Sequence, residues 1–387
     1  MNITVNRLFS IKKLGIWCTI CLFSATLFLN GSISANASTS QSVLSISRGG
    51  TNAQTQNEAL TNLGINNIIN ENSTNLTFPD AKTVYDYTKF ETTFCSNKYV
   101  AVTGIEVLDG RIAYSYDAKN WSEISLTPVV DWEAVTCANG RFVAAGRNGY
   151  ITYSDNGIDW QTPFYLGSSA TLQYDFFTLT YGNDRFVAAG RNGYITYSTT
   201  GEKGSWATLY KGPLNMPFFS IKYGADKFVA TIYNINNAAY ITYSSNLTDW
   251  STPINIDGII CYTTYKMCNI VFAQNKFVIA SFGGYITYSN DGINWSKAKK
   301  ISNYNYKDIT YGKGKFITIS NDGNIGYSYD LEIYQHIKIA NSSRWNAITY
   351  SKGIFVAVGY SGQIAYSYDG VNWTTESVGN QHFSDII

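Results

Sequence analysis

From Tyr99 to the end of the chain, short apolar runs rich in Val, Ile, Phe, Tyr and Thr alternate with joints of Gly, Asn, Asp and Ser. Runs of this kind, bounded by turn formers, read as strands and not as helices. The segment from Trp345 shows the pattern once in full, as WNAITYS, IFVAVGY, GQIAYSYD and VNWTTESV. One unit therefore predicts four strands.

The unit recurs. FVAAGRNGYITYS occurs without change at Phe142 and again at Phe186. Looser copies are YVAVTGIEVLDGRIAYS, FVATIYNINNAAYITYS, FVIASFGGYITYS, FITISNDGNIGYS and FVAVGYSGQIAYS. An aromatic follows each: Trp121, Trp160, Trp206, Trp250, Trp295, Tyr334 and Trp373, spaced by 39, 46, 44, 45, 39 and 39 residues. Four strands in about 40 residues, repeated radially, is the arithmetic of a propeller blade, whereas stacked solenoid coils usually repeat faster. The expected fold is all-β, a seven-bladed β-propeller of four-stranded blades over residues 89–387. The chain ends on HFSDII, aligned with the first strand of a further unit, so residues 383–387 are a candidate closing strand. Residues 90–95 also resemble a first strand, and the sequence leaves both closures open.

The N-terminal region is different. Arg7, Lys12 and Lys13 precede the apolar stretch LGIWCTICLFSATLFL, and Ala35-Asn36-Ala37 offers a small-residue cleavage site. This predicts a secretory signal over residues 1–37, the alternative being an uncleaved anchor. The stretch is shorter than the roughly 20 residues of a membrane span, so no span is expected after cleavage. A bacterial protein, secreted or held at the cell surface, is the expectation. The Cys18–Cys21 spacing lies inside this export segment and is not read as a redox or metal motif.

The whole chain carries 28 basic and 27 acidic residues; removing Arg7, Lys12 and Lys13 leaves 25 against 27, net −2. No basic excess points to nucleic acid. Of the remaining cysteines, Cys261 and Cys268 are close enough to staple a loop in an oxidising compartment. Cys95 and Cys137 fall on expected strands, where free buried thiols are as good a reading as a bridge.

Between the third and fourth strands lie YSYDAKNW, YSDNGIDW, YSSNLTDW, YSNDGINW and YSYDGVNW. Ser and Asp or Asn bond turn backbone, Gly supplies positive φ, and Trp packs back onto the blade. Ser367, Asp369, Gly370 and Trp373 match the Asp-box (BNR-like) repeat, as do Ser154, Asn156, Gly157, Trp160 and Ser289, Asp291, Gly292, Trp295. The propeller region thus resembles the bacterial sialidase-like propellers. The spacing is one residue shorter than the usual pattern, Leu247 replaces Gly in one unit, and Tyr334 replaces Trp in another. Residues 38–88 resemble a bacteriophage tail-fibre connector, through SISRGGTNAQTQNEALTNLGI and FPDAKTVYDYTKF. That resemblance implies a joining segment, with a possible trimer through residues 38–88. A flexible polar linker with a short helix near residues 57–63 is the alternative.

The sialidase resemblance implies an arginine triad, a Tyr–Glu nucleophile pair and an acidic residue. Residues 89–387 hold six arginines: Arg111, Arg141, Arg147, Arg185, Arg191 and Arg344. Arg141 and Arg185 are repeat equivalents, as are Arg147 and Arg191, and a repeated residue reads more simply as scaffold than as one asymmetric active site. Glu133 is an unpaired acidic candidate. With two histidines and no nucleophile-elbow, zincin or phosphate-loop motif, no catalytic residue, metal site or cofactor is assigned. Binding is the better expectation. The face formed by the second-to-third-strand turns would carry Arg147 and Arg191, Tyr150, Tyr194, Tyr240, Tyr285 and Arg344. It would also carry the repeat-breaking segments 161–175, 231–239 and 251–266. Rings and guanidinium groups suit a glycan or a surface protein, although tyrosines at a repeated strand position also serve to pack blades. A glycoside hydrolase of sialidase-like type and a purely structural surface module are the alternatives.

Overall fold

The computed structural model describes residues 95, 98–104, 110–167, 174–212, 215–234, 238–260, 268–339 and 344–387, and the backbone of four short strands nearer the N-terminus. The chain divides into two compact units, Met1–Asn97 and Lys98–Ile387. In the first, Ile3–Thr4, Ala25–Leu27, Ile33–Asn36 and Asn75–Thr77 pair antiparallel in chain order. The expected export signal and connector, with its helix near residues 57–63, otherwise lie outside the described residues.

The second unit is a seven-bladed β-propeller of four-stranded antiparallel blades. Blade 2 runs Trp132–Ala138, Arg141–Gly146, Tyr150–Ser154, Phe164–Tyr165 from the axis outward. Blades 3 to 7 begin with the inner strands Phe176–Gly182, Phe218–Gly224, Asn269–Ala273, Tyr306–Gly312 and Trp345–Ser351. Blade 1 takes its inner strand from the C-terminus: Phe383–Ile386 pairs with Tyr99–Thr103, followed by Arg111–Ser115 and Trp121–Ser125. Of the two closures left open by the sequence, the C-terminal one is found. Phe383–Ile386 also packs against the inner strands of blades 7 and 2.

Alternation along each strand puts one row of side chains on each flank of a blade, and both flanks are covered. The apolar clusters each draw on two consecutive blades: Phe176, Leu179 and Phe186 with Val143, Ala145 and Ile151, or Ile317, Ile319 and Ile325 with Trp345, Phe355 and Ala357. Near the axis, polar side chains of one blade accept backbone N–H groups of the next. Asp385 accepts Val135 N–H at 2.9 Å, Thr178 accepts Ile221 N–H at 3.2 Å, Ser220 accepts Ile270 N–H at 3.3 Å and Asp308 accepts Ile348 N–H at 2.8 Å. All four acceptors follow an inner-strand bulge, as between Tyr306 and Asp308, which re-aims the side chain.

Cys95, Cys137 and Cys268 are each disulfide-bonded. The free-thiol reading of Cys95 and Cys137 is thereby corrected; two strand-borne sulfurs had looked like small core hydrophobes. Cys261 lies outside the described residues.

The Ser-x-Asp turns behave as their chemistry requires. Ser367 Oγ accepts Gly370 N–H at 2.8 Å, and Asp369 Oδ1 accepts the N–H groups of Val371 and Asn372 at 2.8 and 2.7 Å. These N–H donors hold Asp369 well below the usual carboxylate range, and the same cause acts on Asp291. The third turn residue is left-handed throughout, at Gly370 (φ 76°) but also at Ala118 (65°), Leu247 (74°) and Leu331 (68°). The turn tryptophans are half-buried, not fully buried; those at 121, 250 and 295 donate Nε1–H to a turn carbonyl.

Candidate functional site

The third strand of each blade runs from the second-to-third-strand turn to the Ser-x-Asp turn, so these two turns mark opposite faces of the propeller. On the first face, RNG forms a tight 3-10 turn in blades 2 and 3, Arg147–Gly149 and Arg191–Gly193. Each arginine is half-exposed and held by acids that lie on or just before the inner strand of its own blade. Arg147 Nε lies 2.8 Å from Glu133 Oε1 and 3.8 Å from Asp131 Oδ2. Arg191 Nε lies 2.7 Å from Asp175 Oδ2. Asp175 also accepts Asn148 N–H at 2.9 Å, which ties blade 3 to the turn of blade 2. Burial pushes the Asp131 carboxyl up, and Arg147 opposes that shift.

The tyrosines extend this patch. Tyr150 faces Tyr165 on the outer strand (centroids 5.9 Å), Tyr165 meets Tyr174 (6.4 Å), and Tyr174 meets Tyr194 edge-on (4.6 Å). Four rings thus run from blade 2 to blade 3 beside the two RNG turns. Gly149 allows the close approach: a Cβ there would stand 3.3 Å from both Tyr165 and Tyr174. Tyr240 and Tyr285 hold the same strand position in blades 4 and 5, opposite Asn255 and Lys300. Their partners are local: Asn234 Nδ2 donates to Tyr240 Oη at 3.5 Å, and Lys300 Nζ sits 5.8 Å from the Tyr285 centroid. All four repeated tyrosines are partly exposed. Arg344, in blade 7, is exposed and lies 5.7 Å over Tyr360.

Arg344 and Tyr360 occupy the positions of Asp131 and Arg147 in blade 2, with the same backbone bond: Tyr360 N–H to Arg344 O at 3.0 Å and Arg147 N–H to Asp131 O at 2.9 Å. The chemistry at one pair of positions changes from ion pair to cation–π pair. Asp131, Asp175 and His382 are the residues that sequence reasoning missed. His382 Nδ1 accepts Ser361 N–H at 2.9 Å, as Asp175 accepts Asn148 N–H. The signal was their shared place just before an inner strand, legible only once the blades are superposed.

The repeat-breaking segments are partly strand. Phe164–Tyr165 and Ile254–Ile260 are outer strands of blades 2 and 4, and Lys227–Tyr233 extends a second strand. Residues 168–173, 235–237 and 261–267 lie outside the described residues. Arg141 and Arg185 sit at the other end of their strands: Arg141 pairs with Asp155 and Glu202, each at 2.7 Å, and Arg185 lies 4.5 Å over Tyr197. Among the described residues no helix is long and apolar enough to cross a membrane, and no cluster of three or more His, Cys, Asp or Glu is placed to hold a metal.

No family model and no curated protein matches the chain in sequence. Solved structures do match. YCF48 bound to D1 peptide aligns with 17% identity over 71% of this chain and 86% of that one, TM-score 0.51. The WD40 β-propeller domain of Doa1 aligns with 13% identity over 66% and 86%, TM-score 0.49. YCF48 from Cyanidioschyzon merolae aligns with 13% identity over 63% and 84%, TM-score 0.48. The likeness is one of fold.

Proposed function

We propose that this chain is an exported, non-enzymatic binding propeller that holds a protein or glycan partner on the face of the RNG turns. The observation that carries the reading is the partly exposed rings of Tyr150, Tyr165 and Tyr194, packed around the buried Tyr174, beside two half-exposed guanidinium groups anchored on carboxylates. Flat apolar area with fixed charged tips is what a recognition surface offers. A propeller fold is compatible with polypeptide recognition, as in the YCF48 structure that holds a D1 peptide. The Asp-box resemblance and the phage-like connector support a surface-displayed module. The disulfide-bonded cysteines fit an oxidising compartment. Screening the full chain against peptide and glycan arrays tests the proposal. A hit should weaken about tenfold on Tyr194→Ser or Arg344→Ala, a loss in line with one aromatic or charge-assisted contact. Hits indifferent to both substitutions would remove the face assignment. The second reading, glycoside cleavage, rests on the raised Asp131 carboxyl beside Arg147. Turnover of a sialoside abolished by Asp131→Asn would favour it.

A further inference from the structure

The opposite face carries an aromatic surface that none of the binding residues above reaches. At the variable position of the Ser-x-Asp turn, blades 6, 7 and 1 place Tyr329, Tyr368 and Tyr116, exposed by 61%, 52% and 59%. The corresponding residues of blades 2 to 5 are Asp155, Thr199, Ser245 and Asn290. The aromatic positions therefore form one contiguous arc of three blades. Each ring is braced edge-on by the tyrosine two residues earlier: Tyr327–Tyr329 (86°), Tyr366–Tyr368 (85°) and Tyr114–Tyr116 (86°). Bracing of this kind lowers the conformational freedom that a partner would otherwise have to remove.

Each platform has an ammonium beside it. Lys315 Nζ lies 5.4 Å from the Tyr329 centroid, Lys119 Nζ 5.7 Å from Tyr368 and Lys98 Nζ 4.9 Å from Tyr116. Lys119 is exposed, Lys98 half-buried and Lys315 buried; the last two donate to neutral oxygens, Lys98 to Asn156 O at 2.8 Å and Lys315 to Asp369 O. Among the described residues, none of the three makes an ion pair with a carboxylate. Arg141, the repeat equivalent of Lys98 in blade 2, is neutralised by Asp155 and Glu202. The turn carboxylates of the arc are directed into their own loops. Asp117 accepts from Lys119 and Asn120 N–H at 2.9 and 2.8 Å, and Asp330 accepts from Glu332 and Ile333 N–H at 2.8 and 3.0 Å.

We propose that this arc, Tyr329–Tyr368–Tyr116 with Lys119 and Lys98, is a docking surface for an acidic polysaccharide. A flat ring with an adjacent cation matches a sugar residue that presents a C–H face and an anionic substituent. Exposed rings at one turn position of three consecutive blades match a ligand that is itself a repeat. Uronate and sulfate groups offer the same charge, and the experiment separates them. The surface is independent of the partner face proposed above.

The test is affinity electrophoresis of the full chain through gels containing polygalacturonate, chondroitin sulfate or neutral hydroxyethylcellulose. One or both anionic polymers should retard the protein, identifying the charged group, and the neutral polymer should not. Retardation should weaken at least about tenfold in the Tyr116→Ser/Tyr329→Ser/Tyr368→Ser variant and severalfold in Lys119→Glu. Lys119 is exposed, so its variant remains informative even if the triple variant loses its fold. Tyr194→Ser, on the other face, should leave retardation unchanged, which separates failure of this surface from failure of the partner face. No retardation by either anionic polymer, or equal retardation of wild type and Lys119→Glu, overturns the proposal. So does self-association in sedimentation experiments that the tyrosine substitutions abolish, since the arc would then belong to a second copy of the chain.

Discussion

Replacing Asp308 by Asn should remove a loss of stability that the propeller undergoes as pH rises. Asp308 lies on the inner strand of blade 6. Its Oδ2 accepts Ile348 N–H from blade 7, while Oδ1 accepts Ile309 N–H at 2.8 Å and Asn269 Nδ2 of blade 5 at 3.0 Å. Burial pushes its carboxyl up to about 7; Asp385 pushes the same way, and the Ile348 and Ile309 N–H groups and Lys222 oppose. In the unfolded chain the group titrates near ~3.9, so the displacement is roughly three units, or ~4 kcal/mol at 1.36 kcal/mol per unit. The folded state holds its proton where the unfolded state has lost it. The stabilising contribution is therefore complete below about pH 4 and disappears as pH rises through about 7. Asp308 is not wholly shielded from solvent, so about 2 kcal/mol is the expected part of that limit. Asn keeps an acceptor for Ile348 N–H, but its NH2 would meet Ile309 N–H and Asn269 Nδ2. Asn269 is held in its orientation by donating to Lys307 O at 3.2 Å, so the substitution carries a pH-independent cost of about 1–3 kcal/mol. Urea unfolding of both proteins between pH 4.5 and 8.5 should show the stability difference between them shifting by about 2 kcal/mol in favour of Asp308→Asn from the acid to the alkaline end. A difference that does not change with pH, or one that shifts against the variant as pH rises, would refute the reasoning and make the ionised carboxylate the latch.

Phe383→Ala should cost about 3–5 kcal/mol, because the ring is wholly buried in the closing strand; an unchanged melting temperature would show that this strand does not close the ring. Gly370→Ala should destabilise by about 2 kcal/mol or more from overpacking plus left-handed strain, since a Cβ there would stand 2.5 Å from Ile317 Cδ1 at φ +76°; calorimetric melting checks it. Arg147→Ala should cost about 1–3 kcal/mol by stranding the buried Glu133 carboxylate, and Glu133→Gln in the same chain should recover part of that in urea titrations. Trp160→Ala, half-buried against Phe142, should cost less than the ~3–5 kcal/mol of a fully buried aromatic, again by melting.

The fold was legible because one pattern is written seven times and each copy obeys the same physics. Strand period, turn residues and a terminal aromatic agree in every unit, and that agreement is what makes a repeat architecture readable. The candidate site was legible only in part. Arg147 and Arg191 could be placed on a common face by strand polarity alone. Their carboxylate partners could not, because Asp131, Glu133 and Asp175 look like ordinary loop and strand-edge acids until the bulge after Trp132 and the close RNG turn bring them within reach. This changes how an experiment should be built. Removing an arginine here also uncovers a buried acid, so a lost affinity would be ambiguous without the stability measurement beside it.

The choice between the two ring closures shows what a linear pattern leaves out. The segments ETTFC and HFSDII are comparable as strands in hydrophobicity and length. What separates them is the side chains that meet neighbouring blades. Asp385 accepts Val135 N–H from blade 2, Ser384 Oγ donates to Trp132 O at 2.7 Å, and Phe383 O accepts Asn346 Nδ2 from blade 7 at 2.7 Å. The C-terminal strand therefore satisfies polar groups on both sides of the gap it fills. A buried N–H or C=O left without a partner costs more than a made bond returns, so the strand able to answer both neighbours is the one that closes the ring. Asp308 and Asp385 hold the same place on the inner strands of blades 6 and 1, on either side of blade 7. The polar groups near the axis thus favour the strand that closes the ring and, through Asp308, are expected to make stability depend on pH.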